Sequence, residues 1–181
     1  MIIQHIDFSI LNFIQFYLRS DFLDHVMIGI SRLGNGGAIW IFIGVLLLFF
    51  KKYRRYGIMI LTALLIEFLI VDVVLKPMVQ RIRPYNINSE IELLVLPPKS
   101  YSFPSGHAGS SFAVATVIKF INKKFAAFVI IFSILMAFSR LYLYVHFPSD
   151  VIAGILVGIS CSLLAIKIYD KFYNFIKMQK L

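Results

Sequence analysis

The sequence predicts an all-α integral membrane protein with about five transmembrane helices, preceded by amphipathic helices at the N-terminus. Hydrophobic residues make up 60% of the 181 residues, and the mean hydropathy is +0.85. Soluble domains have an apolar fraction of only about 45–50%. Several apolar stretches approach the ~20 residues that a helix needs to cross a bilayer. The basic residues form short clusters between these stretches, as they do in the loops of membrane proteins.

An amphipathic helix in the membrane interface is predicted for residues 2–18, because polar and apolar side chains separate on a helical wheel. The polar face comprises Gln4, His5, Ser9, Asn12, Gln15 and Arg19. The apolar face comprises Ile2, Ile3, Ile6, Ile10, Phe13, Ile14 and Tyr17. Asp7 breaks this pattern. Residues 21–35 predict a second interfacial or re-entrant helix that ends near Gly34–Gly37.

Five apolar stretches predict membrane-spanning helices. They are residues 36–53, 57–75, 105–121, 125–143 and 151–169. We therefore divide the chain into N-terminal interfacial helices, residues 1–35, and a single transmembrane core, residues 36–181.

The clusters of basic residues predict the orientation of these spans. Lys51–Arg55 follows the first span, and Asn122–Lys124 follows the third. The fifth span ends among Lys167, Lys171, Lys177 and Lys180. If basic loops are cytoplasmic, alternation of five spans satisfies the rule throughout. The N-terminal helices, the 76–104 loop and the 144–150 turn then lie on the extracytoplasmic side of the cell membrane.

The net charge of +9 does not predict a nucleic-acid partner, because the chain has no soluble basic face. A second group of ionisable residues lies at the outer ends of the spans, where the orientation rule does not account for it. These residues are Lys76, Arg81, Arg83, His107, Arg140, His146 and Asp150. Ionisable groups at the edge of apolar segments are costly and are usually paired or functional. Because all of these residues lie on one face of the membrane, they predict a functional site on that face.

Three segments carry this group: KPMVQRIRP, PSGH and SRLYLYVHFPSD. Taken singly, each has an ordinary interpretation. Lys76 would be a lysine at a helix end that reaches for the interface, and Ser105 would cap the third span. Arg83 and His146 would be loop and interfacial residues. The three segments together favour a shared site.

The chemistry of these residues suits a phosphoryl group. Lys76, Arg83 and Arg140 supply three positive charges, and a phosphate monoester carries about two negative charges near neutral pH. Gly106 has no side chain, so backbone N–H groups can approach an anion closely. A helix that begins at Ser105 directs its positive end toward the same point.

The two histidines predict a division of catalytic labour. Asp150 lies four residues after His146 and can hold one ring nitrogen, which leaves the other free as a nucleophile. His107 is then the proton donor to the leaving oxygen. The sequence does not distinguish the two ring nitrogens. No metal and no other cofactor is predicted.

The three segments resemble the signature blocks of the type-2 phosphatidic acid phosphatase family. The matching residues are Lys76, Arg83 and Pro84, then Pro104 to His107, then Ser139, Arg140, His146 and Asp150. The resemblance implies a phosphohistidine mechanism without metal, in a membrane core over residues 36–169. It implies His146 as nucleophile, Asp150 as its partner and His107 as general acid. It implies phosphate binding by Lys76, Arg83, Ser105, Gly106 and Arg140.

Not every feature of the family is expected here. The first span of its six-span members is not predicted in this chain. The soluble vanadium haloperoxidases share a similar site, but the predicted spans argue against their activity.

The predicted substrate is a phospholipid or polyprenyl phosphate, and undecaprenyl diphosphate is the first choice. Phosphatidylglycerophosphate and lipid A 1-phosphate remain alternatives, because many undecaprenyl diphosphate phosphatases carry Asp where this chain has Gly106. We interpret Arg81 and Lys99 as solvated loop charges; the alternative is that they contact a diphosphate. Two other classes are considered: a lipid-phosphate-binding protein without activity, and a transporter. The oriented His146 argues against the former, and charges at one face instead of the midplane argue against the latter.

Overall fold

The computed structural model describes residues 2–179, and Lys180, which the orientation argument used, lies outside this range. All regular secondary structure within residues 2–179 is helical, as predicted. The helices are α1 Ile2–Tyr17, α2 Asp21–Leu33, α3 Ala38–Leu48, α4 Arg54–Phe68, α5 Lys76–Val79, α6 Pro84–Ile87, α7 Gly106–Ile118, α8 Lys123–Tyr142 and α9 Pro148–Met178. A 3₁₀ turn at Asn35–Gly37 joins α2 to α3, and a π-helical segment at Leu69–Leu75 joins α4 to α5.

Local sequence explains where several helices begin. Oγ of Ser20 accepts a hydrogen bond from the backbone N–H of Leu23, which caps α2. Oδ1 of Asn122 accepts from two backbone N–H groups and caps α8. Helix α9 begins with Pro148, a residue suited to the first helical turn because no N–H partner is needed there.

Helix α7 lies at the centre of the molecule, where it packs against α4, α8 and α9. Its buried residues are mostly small, and they are Ala108, Gly109, Ser110, Ser111, Ala113, Val114, Ala115, Val117 and Ile118. Small side chains let neighbouring helices approach closely. At Gly158, a Cβ atom would overlap the backbone of Gly109, so α9 and α7 pack backbone against backbone.

The predicted membrane character is also observed, but the spans differ in number from the five predicted. Within residues 2–179, three helical segments are long and apolar enough to cross a bilayer: Arg54–Ile87, Lys123–Tyr142 and Pro148–Met178. The stretch predicted at 105–121 forms the 13-residue helix α7, which is too short to span alone. The apolar sequence there reflects burial among other helices, because protein surrounds α7.

The first predicted span, 36–53, is also different. Helix α3 has 11 residues, and it passes the length criterion only together with α2, from which it bends by 47°. Asp21–Leu33 and Asn35–Leu48 are thus a broken span or a re-entrant pair, which brings the maximum number of spans to four.

Helix α1 has an outward apolar face and packs on α8 and α9 with its other side. Its exposed apolar residues are Ile2, Ile3, Ile6, Ile10, Phe13, Phe16 and Tyr17. The residues that it buries are Asp7, Leu11 and Ile14. The outward apolar face suits a helix in the membrane interface, and Asp7, which broke the predicted pattern, points into the protein.

Candidate active site

The loop after α5 places Arg83 deep in the molecule. Helix α5 ends at Val79, and the left-handed backbone of Gln80 (φ 50°) caps it, so Lys76 and Arg83 do not share a helix. Arg83 is 3% exposed, and its guanidinium donates to the carbonyl groups of Ser100, Tyr101 and Val145 at 2.7, 3.1 and 2.6 Å. These bonds leave the arginine a single orientation.

Arg83 also identifies the roles of the two ring nitrogens of His146. Nη1 of Arg83 lies 3.1 Å from Nε2 of His146. A guanidinium has no acceptor, so Nε2 must accept and carries the lone pair. Nδ1, which then carries the proton, lies 3.6 Å from Oδ2 of Asp150. The nitrogen that faces the cationic side of the site is therefore the one able to act as a nucleophile.

His146 lies between α8 and α9 and is 2% exposed. Burial lowers the pKa of His146 to about 3; the Asp150 carboxylate opposes this shift, and the guanidinium groups of Arg83 and Arg140 add to it. The imidazole is therefore neutral at physiological pH, the state in which it is a nucleophile.

Asp150 is fully buried behind His146 and has several donors of its own. Its Oδ2 accepts from Oγ of Ser102 at 2.5 Å and from the backbone N–H of Phe147 at 2.9 Å. The second bond is made at the first turn of α9. Because the helix end itself holds the carboxylate, Asp150 has little freedom to turn away from His146.

Besides Nδ1 of His146, which faces Asp150, two buried polar atoms of the predicted site have no hydrogen-bond partner within residues 2–179: Oγ of Ser105 and Nε of Arg140. Ser105 precedes α7 without capping it through its side chain, so the capping interpretation is wrong. Nη1 of Arg140 donates to Oγ of Ser31. Buried donors without partners are costly, and an anion between them offers acceptors.

The remaining predicted residues line the same cavity. Nζ of Lys76 donates to Oδ1 of Asp72 at 2.5 Å. Nε2 of His107 lies 3.2 Å from the carbonyl oxygen of Ser31 and 3.1 Å from Oδ1 of Asn35. At Gly106, a Cβ atom would lie 3.7 Å from Oδ2 of Asp72, an ordinary contact.

The cavity has a volume of about 710 Å³, and both polar and apolar side chains line it. The predicted residues in its wall are Lys76, Arg83, Gly106, His107, Arg140 and His146. The apolar part of its wall comprises Ile41, Leu61, Leu64, Leu65, Phe68 and Leu96. Ser105 and Asp150 lie directly behind this wall and are fully buried. The structure thus brings all eight predicted residues into and around one cavity.

Comparison with known proteins agrees with this geometry. The family model described as the PAP2 superfamily matches residues 52–174. The chain belongs to the PAP2 superfamily. This confirms the family predicted from the three sequence segments.

Several relatives of this PAP2 chain are named as phosphatases of lipids. The undecaprenyl-diphosphatase of Sulfolobus acidocaldarius is 35% identical over 147 residues, which is 81% of this chain and 70% of that protein. The crystal structure of Aquifex aeolicus LpxE superposes with a TM-score of 0.78 at 27% identity and covers 90% of this chain and 95% of that one. The PAP2-type phosphatidylglycerolphosphate phosphatase of Bacillus subtilis has a TM-score of 0.76 at 28% identity and covers 94% and 87%.

One residue of the PAP2 site was misinterpreted from the sequence. Arg81 is not a solvated loop charge, because its guanidinium forms ion pairs with Asp7 and with Asp150 at 2.7 and 2.6 Å. The same group lies over the Phe147 ring, with Cζ 4.1 Å from the ring centroid. The signal for this contact was present in the sequence: Asp7 is the one charged residue that violates the pattern of α1.

Glu67 is a second residue that the sequence analysis did not assign to the site. It lies on α4, is 4% exposed and lines the cavity. Its Oε1 has no hydrogen-bond partner within the described range. A Cβ atom at Gly109 would overlap this oxygen, so the small residue on α7 makes room for the carboxyl group.

Proposed function

We propose that this chain hydrolyses the phosphate ester or terminal diphosphate of a membrane lipid through a phosphohistidine on His146. The observation that carries the proposal is the contact of Nε2 of His146 with Arg83 in a cavity that is also lined by Lys76, Arg140 and apolar side chains. The activities for which the relatives are named agree with phosphate hydrolysis on a lipid.

In the first step, the lone pair on Nε2 of His146 attacks phosphorus, and the bond from phosphorus to the lipid oxygen breaks. The Nδ1 proton stays on the ring, so the phosphorylated imidazole is positively charged and the Asp150 carboxylate stabilises it. Lys76, Arg83 and Arg140 bear the charge of the phosphoryl oxygens, and Ser105 and the backbone at Gly106 donate hydrogen bonds to them.

His107 supplies the proton that the leaving oxygen needs. Its Nε2 faces the carbonyl oxygen of Ser31, an acceptor, so Nε2 carries a proton in that contact and Nδ1 is the nitrogen left for proton transfer. In the second step, His107 takes a proton from water, the water oxygen bonds to phosphorus, and the bond to Nε2 of His146 breaks. Phosphate leaves and both histidines return to their initial states.

The cavity supports a lipid with its phosphate at the cationic side chains and its hydrocarbon along the side chains of α3 and α4. We propose undecaprenyl diphosphate as the first substrate to test, since the relative with that activity is 35% identical. Phosphatidylglycerophosphate is the second candidate, supported by the similar fold of the Bacillus subtilis enzyme.

We propose that the site faces the extracytoplasmic side of the cell membrane. The basic clusters lie in the connection between α3 and α4 (Lys51–Arg55) and in the connection between α7 and α8 (Asn122–Lys124). The second cluster is thus at the opposite end of α7 from Gly106 and His107, and basic loops favour the cytoplasm. A cysteine at exposed Ser89 is expected to react with an impermeant reagent on intact cells, whereas a cysteine at exposed Asn122 is not. The opposite labelling would invert the orientation.

A direct test is phosphate release by the purified protein in detergent. The panel comprises undecaprenyl diphosphate, phosphatidylglycerophosphate, phosphatidic acid and lipid A. We expect release from at least one lipid by the wild type and no release by His146→Ala. Absence of release from every lipid would contradict the proposed function, and release by both proteins would contradict the role of His146.

A further inference from the structure

A chain of charged contacts connects the N-terminal helix to the candidate catalytic carboxylate. Nη1 of Arg81 donates to Oδ1 of Asp150 at 2.6 Å, and Nη2 donates to Oδ2 of Asp7 at 2.7 Å. The two carboxylates are 143 positions apart in the sequence and share one guanidinium. Asp7 is 2% exposed and Asp150 is fully buried, so solvent screens these contacts little.

Ser149 ties Asp7 to the first turn of α9. Its backbone N–H donates to Oδ1 of Asp7 at 2.9 Å, and its Oγ donates to Oδ2 at 2.5 Å. The same Oγ accepts from Arg81 at 2.7 Å. Both oxygens of Asp7 are therefore engaged by groups that adjoin Asp150, which gives α1 a fixed position relative to the site.

Arg81 also holds Asp150 by an indirect route. Its backbone carbonyl accepts from the N–H of Ser102 at 2.9 Å, and Oγ of Ser102 donates to Oδ2 of Asp150 at 2.5 Å. The arginine thus fixes Oδ1 directly and the donor to Oδ2 through its backbone. Loss of the Arg81 side chain would leave the Ser102 contact with Asp150 but free Oδ1.

The charges of Asp7, Arg81 and Asp150 explain why the carboxylate of Asp7 is needed in addition to that of Asp150. An arginine paired with Asp150 alone would cancel its charge and weaken its attraction for a positively charged imidazole. Asp7 at the other edge of the guanidinium compensates Arg81, so the three residues together keep one net negative charge beside His146. That negative charge is what a phosphorylated, protonated ring requires.

We propose that Asp7 and Arg81 are positioning residues of the reaction: they hold Asp150 in place and preserve its negative charge for His146. The inference rests on the proposed function, because it assigns a role in the phosphohistidine step. It makes helix α1 a part of the catalytic structure in addition to an interfacial anchor.

Steady-state kinetics of Asp7→Asn, Arg81→Gln and the double variant test this proposal. We expect each single variant to lower kcat by about ten- to a hundredfold with KM within about twofold of the wild type. Asp7→Asn removes the negative charge that compensates the Arg81 guanidinium. In a variant that already lacks this guanidinium, the same substitution should have no further effect, so the kcat of the double variant should equal that of Arg81→Gln. Arg81→Lys keeps the positive charge but loses the planar guanidinium that binds two carboxylates at once, so its kcat should lie between those of Arg81→Gln and the wild type.

Controls separate positioning from a general loss of structure. Asp21→Asn changes an exposed aspartate of α2 and should retain wild-type kcat. The inhibition constant of inorganic phosphate should stay unchanged in Asp7→Asn, because Lys76, Arg83 and Arg140 are not altered. A parallel loss of phosphate affinity would mean that the variant damages the whole site, and would overturn the proposal.

The outcomes also distinguish this inference from the proposed function. If the wild type is active and Asp7→Asn is equally active, the role of Asp7 is overturned while the proposed function stands. Additive effects of the two substitutions in the double variant would have the same meaning. A wild type that releases no phosphate from any lipid of the panel would overturn both.

Discussion

Nε2 of His146 lies 3.1 Å from Nη1 of Arg83. That contact connects the two separate halves of the site, because Arg83 comes from the loop after α5 and His146 from the corner between α8 and α9. It also determines the tautomer, since a guanidinium can only donate. In the proposed reaction, a phosphoryl group that approaches Nε2 would take over this donor, so Arg83 would both orient the nucleophile and bind the phosphoryl group.

Ser105→Ala should reduce activity without a loss of stability. Oγ of Ser105 is buried and has no partner within the described residues, so its removal breaks no protein hydrogen bond. We expect kcat to fall about tenfold through loss of a donor to the phosphoryl group, while Tm stays unchanged. Phosphate release and thermal unfolding in detergent measure the two effects.

Ser162→Ala is the matched control for Ser105→Ala. Oγ of Ser162 is equally buried but donates to the carbonyl oxygen of Ala113 at 2.6 Å, away from the site. Its removal should cost about 1 kcal/mol of stability and leave kcat intact. A drop in Tm for Ser105→Ala similar to that for Ser162→Ala would mean that Ser105 is a structural residue.

Gly154→Ala should inactivate the protein by displacing Ser105. A Cβ atom at Gly154 would overlap the carbonyl oxygen of Ser105 and would lie 3.2 and 3.3 Å from the carbonyl carbon and the nitrogen of the same residue. Backbone cannot move aside as a flexible side chain does, so we expect at least a tenfold loss of kcat and a lower Tm. Gly29→Ala, with nothing within 4 Å of its Cβ position, should have neither effect; equal behaviour of both variants would contradict the close packing.

His146 should make the stability of the protein depend on pH. Its folded pKa is about 3 against a usual value of 6.5. Between these values the unfolded chain binds a proton that the folded protein does not, so stability falls as the pH drops from 6.5 toward 3. The groups that face the ring are Arg83, Arg140, Asp150 and His107.

The measurement compares wild type with His146→Gln, because other groups titrate in the same range. Fluorescence of Trp40, the single tryptophan, reports unfolding. Between pH 7 and pH 4, we expect the Tm of the wild type to fall more than the Tm of His146→Gln. Parallel Tm curves over this range would show that His146 has an ordinary pKa.

Chelation of divalent metals should not affect phosphate release. In the proposed mechanism, Lys76, Arg83 and Arg140 provide the positive charge that a metal ion supplies in metal-dependent phosphatases. Dialysis against EDTA followed by assay in metal-free buffer tests this. Loss of activity that Mg²⁺ restores would require a different mechanism.

Much of the site could be predicted because its residues stand out chemically against an apolar sequence. Lys76, Arg140 and His146 are expensive to place at a membrane edge, and their spacing relative to Ser105 and Asp150 matches one family. Arg81 was misinterpreted because a loop arginine is usually solvated, and its partner Asp7 lies 74 residues earlier. Asp7 stands out because it breaks the pattern of α1, but local sequence does not identify a partner 74 residues away.

The spans were harder to predict than the site, for a physical reason. Hydropathy reports how apolar a segment is, and it does not distinguish contact with lipid from contact with protein. Helix α7 is apolar because α4, α8 and α9 surround it, and its 13 residues are too few to cross a bilayer. The bend between α2 and α3 depends on the turn at Asn35–Gly37, where two glycines have positive φ.

The most direct test of the central claim is to trap the covalent intermediate. The protein is mixed with the lipid substrate that it hydrolyses, carrying ³²P in its terminal phosphate, and is quenched with alkali within one turnover, since phosphohistidine is stable there and labile in acid. We expect label on the peptide that contains His146, formed at least as fast as phosphate release and absent in His146→Ala. Full turnover without label on His146, or label on another residue, would contradict the central claim.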